Sequence, residues 1–226
     1  TNGSQLARLA ETLADCGVRR INVSLDTLDP DQYREITRGG ELSDVLEGIE
    51  AARRAGLSIR INSVALRGVI EEQFERLLRY AHSNDMALAL IETMPLGETG
   101  TSRADQYLSL TEFRKQLSDK WSLSALERKT GGPAQYVEVK QTGGLLGFIT
   151  PLSCNFCATC NRVRVGSNGR LYTCMGHEGS VDLRPALAGT EPARQLDLAI
   201  RDALMRKPER HGFRIGQAGV NGIGRH

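Results

Sequence analysis

A chain of 226 residues can bury a sizeable core, as one domain or as a large domain with an appendage. Its 29 basic and 27 acidic residues leave a formal charge of +2, which argues against a bulk nucleic-acid or anionic-membrane binder and leaves any phosphate recognition to local arginines. No apolar run approaches the roughly 18 residues of a membrane span. Five cysteines, an odd and clustered set, suit a reducing cytosol better than a disulfide framework, so the expectation is a cytoplasmic protein with no nucleic-acid and no membrane partner.

The chain opens Thr1-Asn2-Gly3-Ser4, with no initiator Met, and runs straight into a helix over residues 5–16. Leu6, Leu9, Ala10 and Leu13 have helical spacing there, and Gly17 is a stop. Residues 20–26 alternate as a strand. The helical pattern returns over 43–55 and ends at Gly56, and 58–64 is a second strand. A third helix is expected over 71–83 and a third strand over 86–93. Strands alternating with helices of a dozen residues imply βαβ units and a parallel sheet. Ligands of such sheets lie beyond the C-terminal strand ends, which directs attention to Ser24, Asp26, Asn62, Glu92 and Met94. Each of these alone suits a turn or a cap as well as a site.

Residues 97–103 read as a loop and 110–121 as a helix. A turn at 129–133 precedes two strand-like segments, 134–140 and 144–150. Residues 182–188 and 191–206 look helical, and 210–226 is glycine-rich, with five glycines in seventeen residues.

Four of the five cysteines, Cys154, Cys157, Cys160 and Cys174, fall within 21 residues. A two-residue gap lets two thiolates on one tight turn reach the same metal, and a more distant cysteine completes the grip. The link from Cys160 to Cys174 reads as a hairpin, with strands 162–165 and 170–173 around Gly166-Ser167-Asn168-Gly169. It would return Cys174 beside Cys157 and Cys160. Spacing alone allows a tetrahedral zinc site or an iron–sulfur cluster closed by all four, or a cubane held by three with one iron open. Arg162 and Arg164 stand two apart on the first of these strands and would share a face beside the metal loop, where guanidinium forks suit phosphate.

Residues 151–178, with the core Phe156-Cys157-Ala158-Thr159-Cys160-Asn161-Arg162-Val163-Arg164 and then Gly169-Arg170-Leu171-Tyr172-Thr173-Cys174, resemble the C-terminal cluster motif of the GTP 3′,8-cyclases. These are the radical S-adenosylmethionine (SAM) enzymes that open molybdenum cofactor biosynthesis. The resemblance implies a 4Fe-4S cluster on Cys157, Cys160 and Cys174, thirteen residues separating the last two, with Cys154 a bystander. It implies GTP contacts from Arg162, Val163 and Arg164, and from Arg60 in Ile59-Arg60-Ile61-Asn62. The family often has Lys at that last position; Arg60 keeps the charge and adds a planar fork. Ser24 and Met94, in runs similar to the family's fourth and sixth barrel strands, are implied SAM contacts. Strand six often carries a basic residue where this chain has Ala89, so a contact made there is lost or supplied elsewhere.

The resemblance further implies the reaction. A second 4Fe-4S cluster, held by three N-terminal cysteines, cleaves SAM to a deoxyadenosyl radical. The radical takes hydrogen from the ribose 3′ carbon of GTP, which then attacks guanine carbon 8, while the open iron of the C-terminal cluster anchors the guanine. The family's C-x3-C-x2-C motif for that second cluster is not in these residues, and Cys16 stands alone in a helix. The expectation is therefore an α/β chain holding the C-terminal half of an incomplete (βα)6 radical SAM barrel over 1–104. A C-terminal α+β domain would follow over 105–226, with the iron–sulfur cysteine hairpin and a glycine-rich tail. The tail stops at Gly224-Arg225-His226, before the family's glycine pair. Such a chain would be a truncated member of this lyase family, inactive by itself. Its expected partners are GTP, SAM, an electron donor, a downstream cyclic pyranopterin synthase and a second copy of itself. Two other readings stand beside it: a zinc-stabilised binding module using all four clustered cysteines, and a peptide-modifying radical SAM enzyme with an auxiliary cluster.

Overall fold

The computed structural model of the chain describes residues 1–94, 105–126, 132–154, 156–174 and 179–210. Residues 1–93 with 105–153 form one compact unit, and residues 94–104 with 154–226 the other. The expected loop at 97–103, most of the turn at 129–133 and nearly all of the glycine-rich tail lie outside the described residues.

The first unit alternates as the apolar periodicity predicts. Its elements are α1 (Leu6–Asp15), β1 (Arg20–Ser24), α2 (Pro30–Thr37), α3 (Leu42–Arg54), β2 (Ser58–Ala65), α4 (Ile70–Ser83), β3 (Ala87–Glu92), α5 (Leu110–Ser118), β4 (Leu123–Ala125), β5 (Gln135–Val139) and β6 (Gly144–Ile149). Helix α2 has no counterpart in the periodicity because it buries only Tyr33. Capping makes it instead. The Asp29 carboxylate accepts from the N–H groups of Asp31 and Gln32 at 3.1 and 2.9 Å, and Pro30 opens the first turn.

Six strands form one sheet in the order β1-β2-β3-β6-β5-β4. The first four are mutually parallel, and β5 and β4 continue it antiparallel. Strand β6 lies along β3 with Leu88 opposite Leu146 and Leu90 opposite Phe148, all four buried. Burying a Leu or Phe side chain is worth roughly 1.5–3 kcal/mol, so β6 belongs energetically with the parallel strands β1, β2 and β3. Accordingly, residues 105–153 fall in the same compact unit as residues 1–93, because β4, β5 and β6 extend the first sheet.

Burial along β2 alternates strictly. Ile59, Ile61, Ser63 and Ala65 are buried on the face packed by helices; Arg60, Asn62 and Val64 are half-buried on the other. On the helical side α3 closes against α1 because Gly48 has no Cβ, which would stand 2.7 Å from the Gly3 carbonyl oxygen. Phe74 of α4 meets Phe113 and Trp121 edge-on, with ring centroids 5.6 and 6.4 Å apart, and fixes α5 to the core.

The second unit holds a three-stranded antiparallel sheet, β7 (Arg164–Val165), β8 (Arg170–Tyr172) and β9 (Ser180–Asp182), followed by α6 (Arg184–Leu187) and α7 (Pro192–Met205). Its small core joins Leu171, Leu183 and Ala203. The helix expected over 182–188 is shorter than its pattern: Val181 pairs with Leu171 in the sheet, and the helix starts only at Arg184. No described helix is long and apolar enough to cross a membrane.

Candidate functional site

In the second unit a single 3₁₀ turn, Cys157–Thr159, carries the start of the cysteine motif, and the Cys160 N–H donates to the Cys157 carbonyl at 3.0 Å. That bond folds the two-residue gap so that both cysteines flank one turn. The Cys160 backbone is extended (φ −75°, ψ 115°) and leads the chain toward β7. Strand β7 pairs with β8 through Arg164 opposite Tyr172 and Val165 opposite Leu171. Between them the Gly166 N–H donates to the Arg170 carbonyl at 2.9 Å, and Gly169 takes φ +72°.

Cys157, Cys160 and Cys174 are half-buried, Cys154 is exposed, and none of the cysteines is in a disulfide. Among the described residues no three His, Cys, Asp or Glu side chains gather tightly enough to hold a single metal ion. Cysteine thiolates can ligate zinc or an iron–sulfur cluster, and in a cluster they sit on different irons and so stand wider apart than the ligands of one ion. Lys207, just past α7, donates to the Arg162 carbonyl and lies 3.8 Å from the Cys160 sulfur. Hydrogen bonds to ligating sulfurs are one of the levers on a cluster's potential.

Arg162, Val163 and Arg164 are all exposed. Regular strand begins only at Arg164, so Arg162 precedes β7 and does not share a strand face with it. Among the described residues neither guanidinium has a carboxylate partner. Other arginines of the same unit do: Arg184 pairs with Asp182 at 2.6 Å, Arg201 with Asp197 at 2.7 Å and Arg206 with Asp202 at 2.6 Å. Two exposed, unpaired guanidiniums two residues apart can take a phosphate or a carboxylate by forked bonds.

In the first unit the strand-end residues divide. Ser24 closes β1 with its side chain exposed, while Met94, the first residue of the other unit, is half-buried. Asp26 accepts from the Val64 N–H at 2.7 Å, and burial pushes its carboxyl above the usual range. Glu92 is fully buried and accepts three backbone N–H groups, those of Leu110 at 3.0 Å, Leu152 at 2.8 Å and Ser153 at 3.0 Å. Both Asp26 and Glu92 therefore serve the backbone.

Arg60 projects from the less buried face of β2. Its Nε donates to Asn62 Oδ1 and its Nη1 to Tyr136 Oη, each at 2.9 Å. No described carboxylate pairs with it. It also lines a cavity of about 360 Å³ at the strand starts, together with Arg20, His82, Asp85 and Tyr136. That is the opposite end from the one to which the parallel-sheet rule points, and burial holds His82 below its ordinary pKa there. Tyr136 and Lys207 escaped sequence reasoning. A signal for the first is Gly147, since an isolated glycine inside a strand marks close approach by a neighbour.

The family model described as Molybdenum Cofactor Synthesis C matches residues 86–213, and that of the Radical SAM superfamily matches residues 1–81. A GTP 3′,8-cyclase of Rhodopseudomonas palustris is 56% identical over 215 residues, which cover 95% of this chain and 62% of that protein. One of Bradyrhizobium diazoefficiens is 55% identical with the same coverage. One of Nitrobacter winogradskyi is 52% identical over 226 residues, 100% of this chain and 66% of that protein. The chain thus spans less than two thirds of the length of these curated relatives.

Proposed function

The chain belongs to the Molybdenum Cofactor Synthesis C family, and from that premise we propose that it serves as a GTP 3′,8-cyclase, a radical SAM lyase acting on GTP in molybdenum cofactor biosynthesis. The observation that carries the reading is the continuous likeness to relatives of that name through both the strand–helix repeat and the cysteine hairpin. On this reading β1, β2 and β3 are later strands of a radical SAM barrel, and Ser24 and Met94 contact SAM.

Cys157, Cys160 and Cys174 would hold a 4Fe-4S cluster. Such a cluster, when bound, supplies an open iron to which the guanine can coordinate. The chain's own residues bind and orient. Arg162 and Arg164 take phosphate oxygens by charge-assisted bonds, Val163 packs against the nucleotide, and Arg60 takes a phosphate oxygen from β2. The division is the usual one for radical enzymes, with the cofactors supplying the hard step and the protein its orientation. An electron donor, a second cluster of the family, a cyclic pyranopterin synthase downstream, a homodimeric state and a cytoplasmic setting complete the proposal. The zinc-module reading has no comparable support, since Cys154 is the exposed member of the four.

Equilibrium binding under anaerobic conditions tests the clamp. Arg162→Ala and Arg164→Ala are each expected to weaken GTP binding by roughly 1.5–3 kcal/mol, the range for hydrogen bonds to charged groups. Guanosine binding should not change. Equal wild-type affinity for GTP and guanosine would remove the phosphate assignment.

A further inference from the structure

The strand register aligns one row of residues across five strands. Ser24 stands opposite Asn62, Asn62 opposite Ala89, Ala89 opposite Gly147, and Gly147 opposite Tyr136. Paired residues share a face, so this row lies on the side of Arg60. From Asn62 to Tyr136 is three strand spacings, about 14 Å. Only Ala89 and Gly147 lie between them.

Arg60 starts one pair of residues below the row, level with Ala87. Its side chain rises to Asn62 and crosses to Tyr136. The small floor is what makes room. An added Cβ on Gly147 would stand 3.0 Å from Tyr136 Cε1 and 3.4 Å from Ala89 Cβ. Ala89 is fully buried, as a residue with side chains laid over it must be. A long side chain at position 89 would fill the space that the guanidinium crosses.

Both partners of Arg60 are neutral, and these two bonds use two of the five N–H groups of a guanidinium. The fork keeps its charge and three N–H groups for an anion, already held in one orientation. A lysine, a point charge on a flexible stem, could not be bracketed in this way.

We propose that Asn62 and Tyr136 are positioning residues that bracket the Arg60 guanidinium over Ala89 and Gly147 and present it to a phosphoryl oxygen. The proposal rests on the reading of Arg60 as a phosphate contact. It also accounts for Ala89: the cation at this level of the sheet comes from β2, steered by a hydroxyl on β5.

The test is Tyr136→Phe, which keeps the ring over Gly147 and removes only the hydroxyl, with Ala89→Leu as a second variant that fills the floor and leaves both bracket residues in place. Two readouts are taken on the cluster-reconstituted chain. Solvent exchange of the Arg60 Nε–H, followed by nitrogen-15 NMR, reports the bracket without any ligand; GTP and guanosine affinities report its use. Both variants should speed the exchange and weaken GTP binding about tenfold, the equivalent of one charge-assisted bond, with guanosine unaffected. In an Arg60→Ala background, Tyr136→Phe should cost GTP nothing further. Unchanged exchange in both variants, or a Tyr136→Phe loss that adds fully to that of Arg60→Ala, overturns the positioning role. If exchange quickens as expected while Arg60→Ala leaves GTP affinity unaltered, the bracket stands and the phosphate role of Arg60 falls.

Discussion

Replacing Glu92 by leucine is expected to lower the unfolding free energy by about 3–5 kcal/mol, read as a fall in urea midpoint at constant m-value. The carboxylate is buried at the end of β3, and its three donors come from two separate segments. Leu110 lies in the first turn of α5, where a carboxylate also meets the favourable end of the helix dipole. Leu152 and Ser153 follow β6 directly. Leucine satisfies packing volume and leaves three buried N–H groups without an acceptor, each costing roughly 1–3 kcal/mol before relaxation. Glu92→Gln keeps one carbonyl oxygen and turns an amide donor toward the remaining N–H groups, so its cost should be intermediate. A leucine variant within about 1 kcal/mol of wild type would show that water or a shifted backbone replaces the carboxylate.

The second large effect is on iron. Reconstituted anaerobically with iron and sulfide, a polypeptide of these 226 residues should take up about four irons per chain, the complement of one cubane. Cys157→Ala, Cys160→Ala and Cys174→Ala should each abolish stable uptake, with loss of the broad absorbance near 400 nm. Cys154→Ala and Cys16→Ala should leave it unchanged. The loaded polypeptide, reduced and given SAM, should release no 5′-deoxyadenosine, because its cysteines make up one such constellation. Stoichiometric zinc in a colourless protein, lost on Cys154→Ala, would favour the zinc module instead.

The strand–helix order of residues 1–93 was legible because each element has one apolar face and its period reports that face. Helix α2 was not, since it is defined by the Asp29 cap and Pro30 and carries almost no apolar stripe. The partner of β6 was not legible either. A short apolar run such as Leu145-Leu146-Gly147-Phe148-Ile149 states that it is buried, and not beside which strand. The cysteine spacing and the hairpin turn around Gly169 were readable because they are local chemistry. The alignment of Asn62, Ala89, Gly147 and Tyr136 was not, because residue 62 and residue 136 become neighbours in one row only once two other strands are placed between them.

The pairing of β6 with β3 has a kinetic side. Strands β1, β2 and β3 are joined by helical crossovers over residues 25–57 and 66–86, shorter than the segment that precedes β6, so their contacts can form earlier. Strand β6 reaches β3 only after a loop of about fifty residues has closed, an entropy that must be spent before Leu146 and Phe148 return anything. Two of the three bonds to Glu92 depend on that docking. The carboxylate is thus a latch set after the barrier, and interactions made after the barrier govern how fast a native state opens. Its loss should shorten the lifetime of the folded chain while leaving the refolding rate near that of wild type.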